Sequence, residues 1–127
     1  MKEPRICAVI VDSDLEAVKK VEPFVNLFEV RIDLIGSGWQ ELVRHLDRPW
    51  IACNRSALEG GNWQGNESKR IDELLTAIKL GADLVDVELS TPGVASVVKE
   101  IKKQAGCCYL KLIADDEEVH IPRVGGR

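Results

Sequence analysis

The sequence predicts an α/β fold: a partial (β/α)8 barrel of the TIM type, with about four βα units and a fifth strand. Three observations predict it. Five short apolar runs alternate with segments of helical spacing along the 127 residues. Strands that are separated by helices pair in parallel through right-handed crossovers. The second and fourth strands alternate charged with apolar side chains, as expected when one sheet face packs under helices and the other lines a barrel interior.

The predicted strands are apolar runs bounded by turn or capping residues: 5–11, 27–34, 50–54, 82–89 and 107–113. Between them lie four predicted helices, one that ends near residue 21 and three over 39–46, 68–80 and 94–103. An open doubly wound sheet has the same order of elements. No GxGxxG or P-loop motif follows the first strand, however, so that alternative lacks its usual nucleotide-binding signature.

Composition excludes several classes of function. The 17 basic and 21 acidic residues give a net charge of −4, which lacks the basic footprint of a nucleic-acid-binding protein. No apolar run approaches the roughly 20 residues that cross a bilayer. The first residues lack the apolar core of a signal peptide, so we expect a cytoplasmic protein that binds neither nucleic acid nor membrane.

The four cysteines show no metal-ligand spacing. Cys7, Cys53, Cys107 and Cys108 lie within apolar stretches, without a CxxC pair. Disulfides are unlikely products of a reducing compartment. We therefore predict four small buried side chains in strands and no metal site.

Charged side chains share one face in two of the predicted strands. Glu29, Arg31 and Asp33 lie on one face of the second strand, and Asp86 and Glu88 on one face of the fourth. In both strands they extend toward the C-terminal half, where barrel enzymes build their active sites. An edge strand with a solvated face would show the same alternation, and that alternative stays open.

The loop after the third strand adds further candidates. Arg55 follows the strand directly, where its guanidinium can fork onto a substrate carboxylate. Glu59, with Gly60 and Gly61 behind it, places an acid on a loop that we expect to move as a lid. Because unpaired buried carboxylates are costly, Arg31 and Arg55 are the expected partners of Glu29, Asp86 and Glu88.

Three motifs in this order resemble the type I 3-dehydroquinate dehydratases: EVRID at 29–33, RSALEGG at 55–61 and DVEL at 86–89. The resemblance covers about residues 4–103. It implies a (β/α)8 barrel that dehydrates 3-dehydroquinate to 3-dehydroshikimate in the shikimate pathway, without a metal or organic cofactor. It also implies a lysine that forms a Schiff base with the substrate ketone and a histidine that moves the proton.

The resemblance assigns the charged residues to substrate binding. Glu29 and Arg31 would contact the polar ring groups of 3-dehydroquinate, and Arg55 would also line the site. Asp86 and Glu88 would form its acidic part, with Glu88 orienting the catalytic histidine. These types suit a polyhydroxylated carboxylic acid, which needs cationic forks for its carboxylate and ionised acceptors for its hydroxyls.

The catalytic groups of the family have no counterpart here. The family's histidine ends strand five, where residues 112–117 read LIADDE, and its lysine belongs to a sixth strand that this chain does not reach. Lys111 is expected on the fifth strand, His120 in a solvated tail and His45 on an exterior helix, so none replaces them. Besides Glu88, only Glu59 is a supporting catalytic candidate, and we predict that the chain alone is inactive.

Residues 1–113 are thus predicted to be the N-terminal half of a barrel, and residues 114–127 an acidic, irregular tail. One hypothesis is the substrate-binding half of a 3-dehydroquinate dehydratase, as an N-terminal fragment or frameshifted product. The alternative is a non-catalytic half-barrel that binds ligand or assembles with itself or with a separate C-terminal half. Half a barrel leaves the first and fifth strands as open edges, so we expect a homodimer or a missing C-terminal partner.

Overall fold

The computed structural model describes residues 5–105, 109–114 and 117–121. Six strands form one sheet in sequence order: β1 Cys7–Ile10, β2 Leu27–Arg31, β3 Trp50–Cys53, β4 Leu84–Glu88, β5 Tyr109–Ala114 and β6 Glu117–Ile121. The helices are α1 Leu15–Val21, α2 Ile32–Ile35, α3 Trp39–Val43, α4 Glu67–Lys79 and α5 Val94–Ala105. Short 3-10 turns cover Glu22–Phe24, Gly36–Gly38 and Ala57–Glu59.

The strand order decides between the two architectures that the sequence allows. Strands β1 to β5 are parallel, and each lies beside its neighbour in sequence. A doubly wound sheet reverses its winding at a switch point, so its strand order is not sequential. Right-handed crossovers that always step the same way place the helices on one face, as in a barrel. The predicted partial (β/α)8 barrel is confirmed.

One face of the sheet packs under the helices. Val30, Ala52 and Val85 are neighbours in register and are fully buried. They belong to one apolar cluster with Leu74 of α4 and Ile101 of α5. Fully burying an aliphatic side chain of this size contributes about 1.5–3 kcal/mol. This layer therefore holds the helices on the sheet, and the alternate side chains of the same strands point away from the helices.

The next row in register lies on the opposite face. Arg31, Cys53 and Asp86 are directly aligned across β2, β3 and β4. Because side chains alternate along a strand, all three point away from the helices, toward the interior side of a barrel. Two charged side chains and a thiol thus lie in line near the carboxyl ends of three adjacent strands.

Strand β2 is shorter than the sequence predicts. It ends at Arg31, and Asp33 lies in the helical turn α2 instead of on the strand. Ile32, which is 2% exposed, anchors this turn in the core. In this turn the Asp33 carboxylate reaches back to the Arg31 guanidinium, with Oδ2 2.6 Å from Nη2.

The end of the chain also differs from the expectation. Residues 117–121 form β6, antiparallel to β5, where the sequence analysis expects an irregular tail. Val119 and Ile121 alternate with Glu118 and His120, which is typical of a strand. His120 accordingly lies on β6, opposite Lys111 in register.

The cysteines are only partly as predicted. Cys53 is buried, but Cys7 is exposed because β1 is an edge strand and Cys7 lies on the face away from the helices. Cys107 and Cys108 lie outside the described residues. Within the described residues the longest helix, α4, has 13 residues, and none is both long and apolar enough to pass through a bilayer.

Candidate functional site

Arg31 and Asp33 form a bidentate ion pair at the end of β2. Arg31 Nε donates to Asp33 Oδ1 at 3.0 Å, and Nη2 donates to Oδ2 at 2.6 Å. Burial raises the pKa of Asp33, but the Arg31 guanidinium and the backbone N–H of Asn62 together lower it by more. The pKa of Asp33 therefore lies below its ordinary value. The same hydrogen bond raises the pKa of Arg31. Both groups are therefore charged at neutral pH.

This pairing corrects the sequence expectation for Arg31, whose expected partners are Glu29, Asp86 and Glu88. Asp33 takes the guanidinium because the α2 turn brings its carboxylate within 2.6 Å. Glu29 lies two residues earlier on the same face of β2 and is half-buried. It interacts with Arg31 only electrostatically in the described contacts and, like Asp33, favours the charged guanidinium.

Arg55 pairs with Asp86, as the sequence predicts. The closest approach, from Arg55 Nη2 to Asp86 Oδ2, is 3.7 Å, so this is an ion pair without a direct hydrogen bond. The Asp86 side chain is buried, whereas 27% of the Arg55 side chain remains exposed.

Cys53 lies between Arg31 and Asp86 in register. Burial has the largest effect on its thiol, followed by the charge of Asp86, and both raise the pKa of Cys53 far above its ordinary value. Cys53 is thus an inert neutral thiol.

The loop 55–66 has a compact hydrogen-bonded conformation. Trp63 N–H donates to the Arg55 carbonyl at 3.1 Å, and Ala57 N–H donates to the Trp63 carbonyl at 3.0 Å. A Cβ on Gly61 would lie 2.2 Å from the Arg55 carbonyl oxygen, so only glycine fits there. Glu59 accepts a 2.6 Å hydrogen bond from Ser90 Oγ in the loop after β4.

Arg70 joins the ends of β3 and β4 to helix α4. Its Nη1 donates to the carbonyl of Asn54 at 2.8 Å, and its Nη2 donates to Glu67 and Thr91. Nη1 also lies 3.7 Å from Glu88 Oε1. Arg70 is 2% exposed, so these contacts compensate a buried cation.

Sequence reasoning missed Arg70, which is the ion-pair partner of Glu88 in place of Arg31; the predicted Arg55 acts on Glu88 electrostatically, with a smaller effect than Arg70. The sequence does place Arg70 on an apolar helix face, because positions 70, 74 and 77 lie on one side of a helix and Leu74 and Ala77 are core residues. A charged residue within an apolar stripe needs a buried partner. Which partner it meets depends on loops that follow two different strands, so spacing alone could not show it.

Glu88 borders a small cavity beside this arginine. Burial raises the pKa of Glu88; Arg70 opposes that shift and Glu59 adds to it, so the pKa lies above its ordinary value. The cavity has a volume of about 140 Å³ and is lined by Ser56, Leu58, Glu59, Glu67, Arg70, Glu88, Ser90, Thr91 and Pro92. Carboxylates, hydroxyls and one guanidinium converge there, which suits a ligand with several hydroxyl groups.

The other candidates lie elsewhere. His45 is on the exterior, after α3, where it pairs with Glu41 at 3.1 Å. Among the residues that the structure describes, no three His, Cys, Asp or Glu side chains are grouped so that they could hold a metal ion.

Comparison with known proteins identifies the relatives of this chain. A family model described as type I 3-dehydroquinase matches residues 6–117. The chain belongs to the type I 3-dehydroquinate dehydratase family. A 3-dehydroquinate dehydratase of Dehalococcoides mccartyi is 39% identical over 108 residues, which cover 84% of this chain and 48% of that protein. The chain spans about half the length of the curated relatives it matches.

Solved structures of the family have the same fold. The type I 3-dehydroquinate dehydratase of Clostridium difficile matches with a TM-score of 0.67 at 22% identity, over 90% of this chain and 50% of that one. The 3-dehydroquinate dehydratase of Aquifex aeolicus matches with a TM-score of 0.62 at 28% identity, over 86% of this chain and 51% of that one. The half-barrel thus corresponds to part of a complete family fold.

Proposed function

We propose that this chain supplies the substrate-binding wall of a type I 3-dehydroquinate dehydratase site, where 3-dehydroquinate is converted to 3-dehydroshikimate. The observation that carries the proposal is the convergence of Arg31, Arg55, Asp86 and Glu88 at the carboxyl ends of three adjacent strands. Barrel enzymes place their reacting groups at that end. Family membership supplies the substrate class.

Each side chain has a role that its surroundings support. The side chains of Arg31 and Arg55 remain 16% and 27% exposed, and they provide cationic donors for the carboxylate and hydroxyls of the substrate. Glu29 and Asp86 provide acceptors beside them. Glu88, with its raised pKa, borders the cavity and can accept or donate a hydrogen bond to a hydroxyl.

We further propose that this chain binds without turning over. Residues 112–117, where the family has its histidine, contain none, and Lys111 is the only lysine of β5 and β6. Schiff-base chemistry needs an amine placed on the substrate carbonyl. A complementary half of the barrel would supply the lysine and the histidine, and Glu59 and Glu88 would support that histidine from this chain.

Calorimetric titration with 3-dehydroquinate tests binding. We expect saturable, salt-sensitive binding that Arg55→Ala weakens at least about tenfold, because a charge-assisted donor is lost. Arg48→Ala is the control, since Arg48 is an arginine at the opposite end of the strands, where its guanidinium donates to the Val25 carbonyl. Absence of binding to the wild-type chain, or equal losses in both variants, would overturn the proposal.

Intact-mass spectrometry after incubation with 3-dehydroquinate and borohydride tests the absence of turnover. Schiff-base formation releases one water, and borohydride then adds two hydrogens to leave a stable secondary amine. A competent lysine therefore gains the mass of the bound carbonyl compound, substrate or dehydrated product, less one oxygen. We expect no adduct on this chain while a full-length relative is trapped under the same conditions. An adduct mapped to Lys111 would contradict the proposal that this chain binds the substrate without turning it over.

A second role, assembly, rests on a different observation. Val9, on the face of β1 away from the helices, is 51% exposed, and Val11, directly after the strand, is 47% exposed. Among the described residues, β1 pairs only with β2, so its other edge presents open backbone groups. We therefore propose a homodimer or a complex with a C-terminal half. Native mass spectrometry tests it, and a monomer that does not associate with a supplied C-terminal half would contradict it.

A further inference from the structure

We propose that Asp33 is a positioning residue: its single buried carboxylate fixes Arg31 and the loop of Arg55 relative to each other. The inference deepens the proposed function and rests on it for the identity of the ligand. Asp33 does not itself need to touch the ligand. Its side chain is 0% exposed, so it acts through the groups that it holds.

The first group is the Arg31 guanidinium. Asp33 accepts from Nε at 3.0 Å and from Nη2 at 2.6 Å, which occupies one edge of the planar group. A guanidinium carries five N–H groups in a rigid fork, so three remain for other acceptors. The bidentate pair also sets the plane of the group, and thereby the direction of those three donors.

The second group is the far side of the loop 55–63. Asn62 N–H donates to Asp33 Oδ2 at 3.0 Å, and Asn62 Nδ2 donates to the Asp33 carbonyl at 3.3 Å. The loop is closed by the hydrogen bond from Trp63 N–H to the Arg55 carbonyl at 3.1 Å. Fixing Asn62 therefore also fixes the backbone from which the Arg55 side chain projects.

The third group is the base of the same loop. A backbone hydrogen bond with Arg55 helps to lower the pKa of Asp33. On the other side, a backbone hydrogen bond with Ser56 acts on Glu88 in the same direction. Two carboxylates, one from each neighbouring βα unit, thus hold consecutive residues at the start of the loop. Of the two, only Asp33 also holds a substrate-binding cation directly.

Asp33→Asn removes this function with a minimal change of shape. An amide has one acceptor oxygen, and its NH2 group is a donor that cannot pair with the guanidinium. The matched control is Glu22→Gln. Counted over the whole residue, Glu22 and Asp33 are both 7% exposed. Glu22 pairs with Lys19 at 2.9 Å and accepts the N–H of Asp47 at 2.7 Å, but it lies at the amino ends of the strands.

Amide hydrogen exchange gives a readout that does not depend on ligand. In Asp33→Asn one uncharged oxygen replaces the two carboxylate oxygens that accept from Arg31 Nε–H and Asn62 N–H. We therefore expect the Asn62 amide to exchange at least about tenfold faster and the Arg31 Nε–H resonance to move. In Glu22→Gln the Asp47 amide should respond and the Asn62 amide should not. Unchanged exchange at Asn62 in Asp33→Asn overturns the inference.

Titration with 3-dehydroquinate gives the second readout. Asp33→Asn should weaken binding about tenfold or more, and Glu22→Gln less than about twofold. In an Arg31→Ala background the effect of Asp33→Asn should shrink markedly, since residues that act through one another are not additive. Equal weakening of binding by Asp33→Asn and Glu22→Gln, or full additivity of Asp33→Asn with Arg31→Ala, means that Asp33 contributes only to stability. Either result overturns the inference.

The outcomes separate the inference from the proposed function. If the wild-type chain does not bind 3-dehydroquinate, the proposed function fails, while the exchange data still decide whether Asp33 positions the loop. If Asp33→Asn does not fold, Asn62→Ala replaces it, because it removes only the 3.3 Å side-chain bond. We then expect faster exchange at Arg55 and about two- to tenfold weaker binding; no change in either overturns the inference.

Discussion

The two ends of the sheet use polar side chains differently. At the amino ends of the strands, side chains mainly satisfy backbone groups: Asn26 accepts from Ile6 N–H, Asp83 from Trp50 N–H and Glu22, which also pairs with Lys19, from Asp47 N–H. At the carboxyl ends, charged side chains hold other charged side chains and the loop between them. The polar side chains at the amino end therefore stabilise the fold, whereas the buried charges at the carboxyl end orient other side chains, as at the active-site end of barrel enzymes.

The largest contrast is expected between two arginines. Arg70→Met leaves the Glu88 carboxylate without its cation and the Asn54 carbonyl without its donor, so the free energy of unfolding should fall by about 3–5 kcal/mol. Arg48→Met, at the amino end, should cost about 1 kcal/mol or less. Urea denaturation measures both, and similar losses would remove the energetic distinction between the two ends.

Two glycines should differ next. Gly61→Ala places a methyl group 2.2 Å from the Arg55 carbonyl oxygen, so the loop must move, at a cost of about 1–3 kcal/mol and with weaker 3-dehydroquinate binding. Gly81→Ala, at the amino end, meets no atom within 4 Å and has only the strain of a φ of +103°, about 1–2 kcal/mol, with binding unchanged. Thermal unfolding and calorimetry distinguish them; retained binding in Gly61→Ala would show that the loop conformation is not required.

A smaller effect should separate two carboxylates within the carboxyl end. The pKa of Asp33 is lowered from 3.8, so its stabilising contribution is present above 3.8 and is lost as pH falls through the folded-state value. The pKa of Glu88 is raised from 4.5, so its contribution is present below 4.5 and is lost as pH rises through the folded-state value. The two dependences therefore have opposite signs.

Urea titrations at several pH values read this out. The destabilisation caused by Asp33→Asn should grow as pH rises from about 2 to 5. The stability of Glu88→Gln relative to wild type should improve as pH rises above about 4.5. Parallel pH curves for the two variants would show that burial does not act differently on these carboxylates.

The smallest expected difference concerns two thiols. Cys7 is exposed, whereas Cys53 is buried in the charged row with a raised pKa. Iodoacetamide at pH 8 should therefore alkylate Cys7 at least about tenfold faster than Cys53 in the native chain. Peptide mass mapping over time measures the ratio, and comparable rates would show that the centre of the row opens readily to solvent.

Much of this site was predictable from period-two alternation. Alternation places Glu29 and Arg31 on one face of β2, and Asp86 and Glu88 on one face of β4, without knowledge of any contact. The end of β2 was not predictable, because it depends on Asp33 turning back to Arg31. The RSALEGG motif marked the loop as important, although its compact form depends on long-range contacts.

The residues that hold the site together were the least predictable. Asn62 lies 29 positions from Asp33 and Arg70 lies 18 positions from Glu88, so their contacts arise only when separate βα loops meet. Helical spacing could have identified Arg70 as a charge within an apolar stripe. No local pattern identifies Asn62, because its main contribution comes from a backbone N–H.

The most direct measurement is a two-dimensional 15N NMR titration of the chain with 3-dehydroquinate. We predict progressive, saturable shifts at Arg31 Nε and at the amides of 54–63 and 86–91, with the amides of 22–26, 47–50 and 81–84 unmoved. Shifts concentrated at the amino ends of the strands, or no shifts at saturating ligand, would contradict the assignment of substrate binding to the carboxyl end.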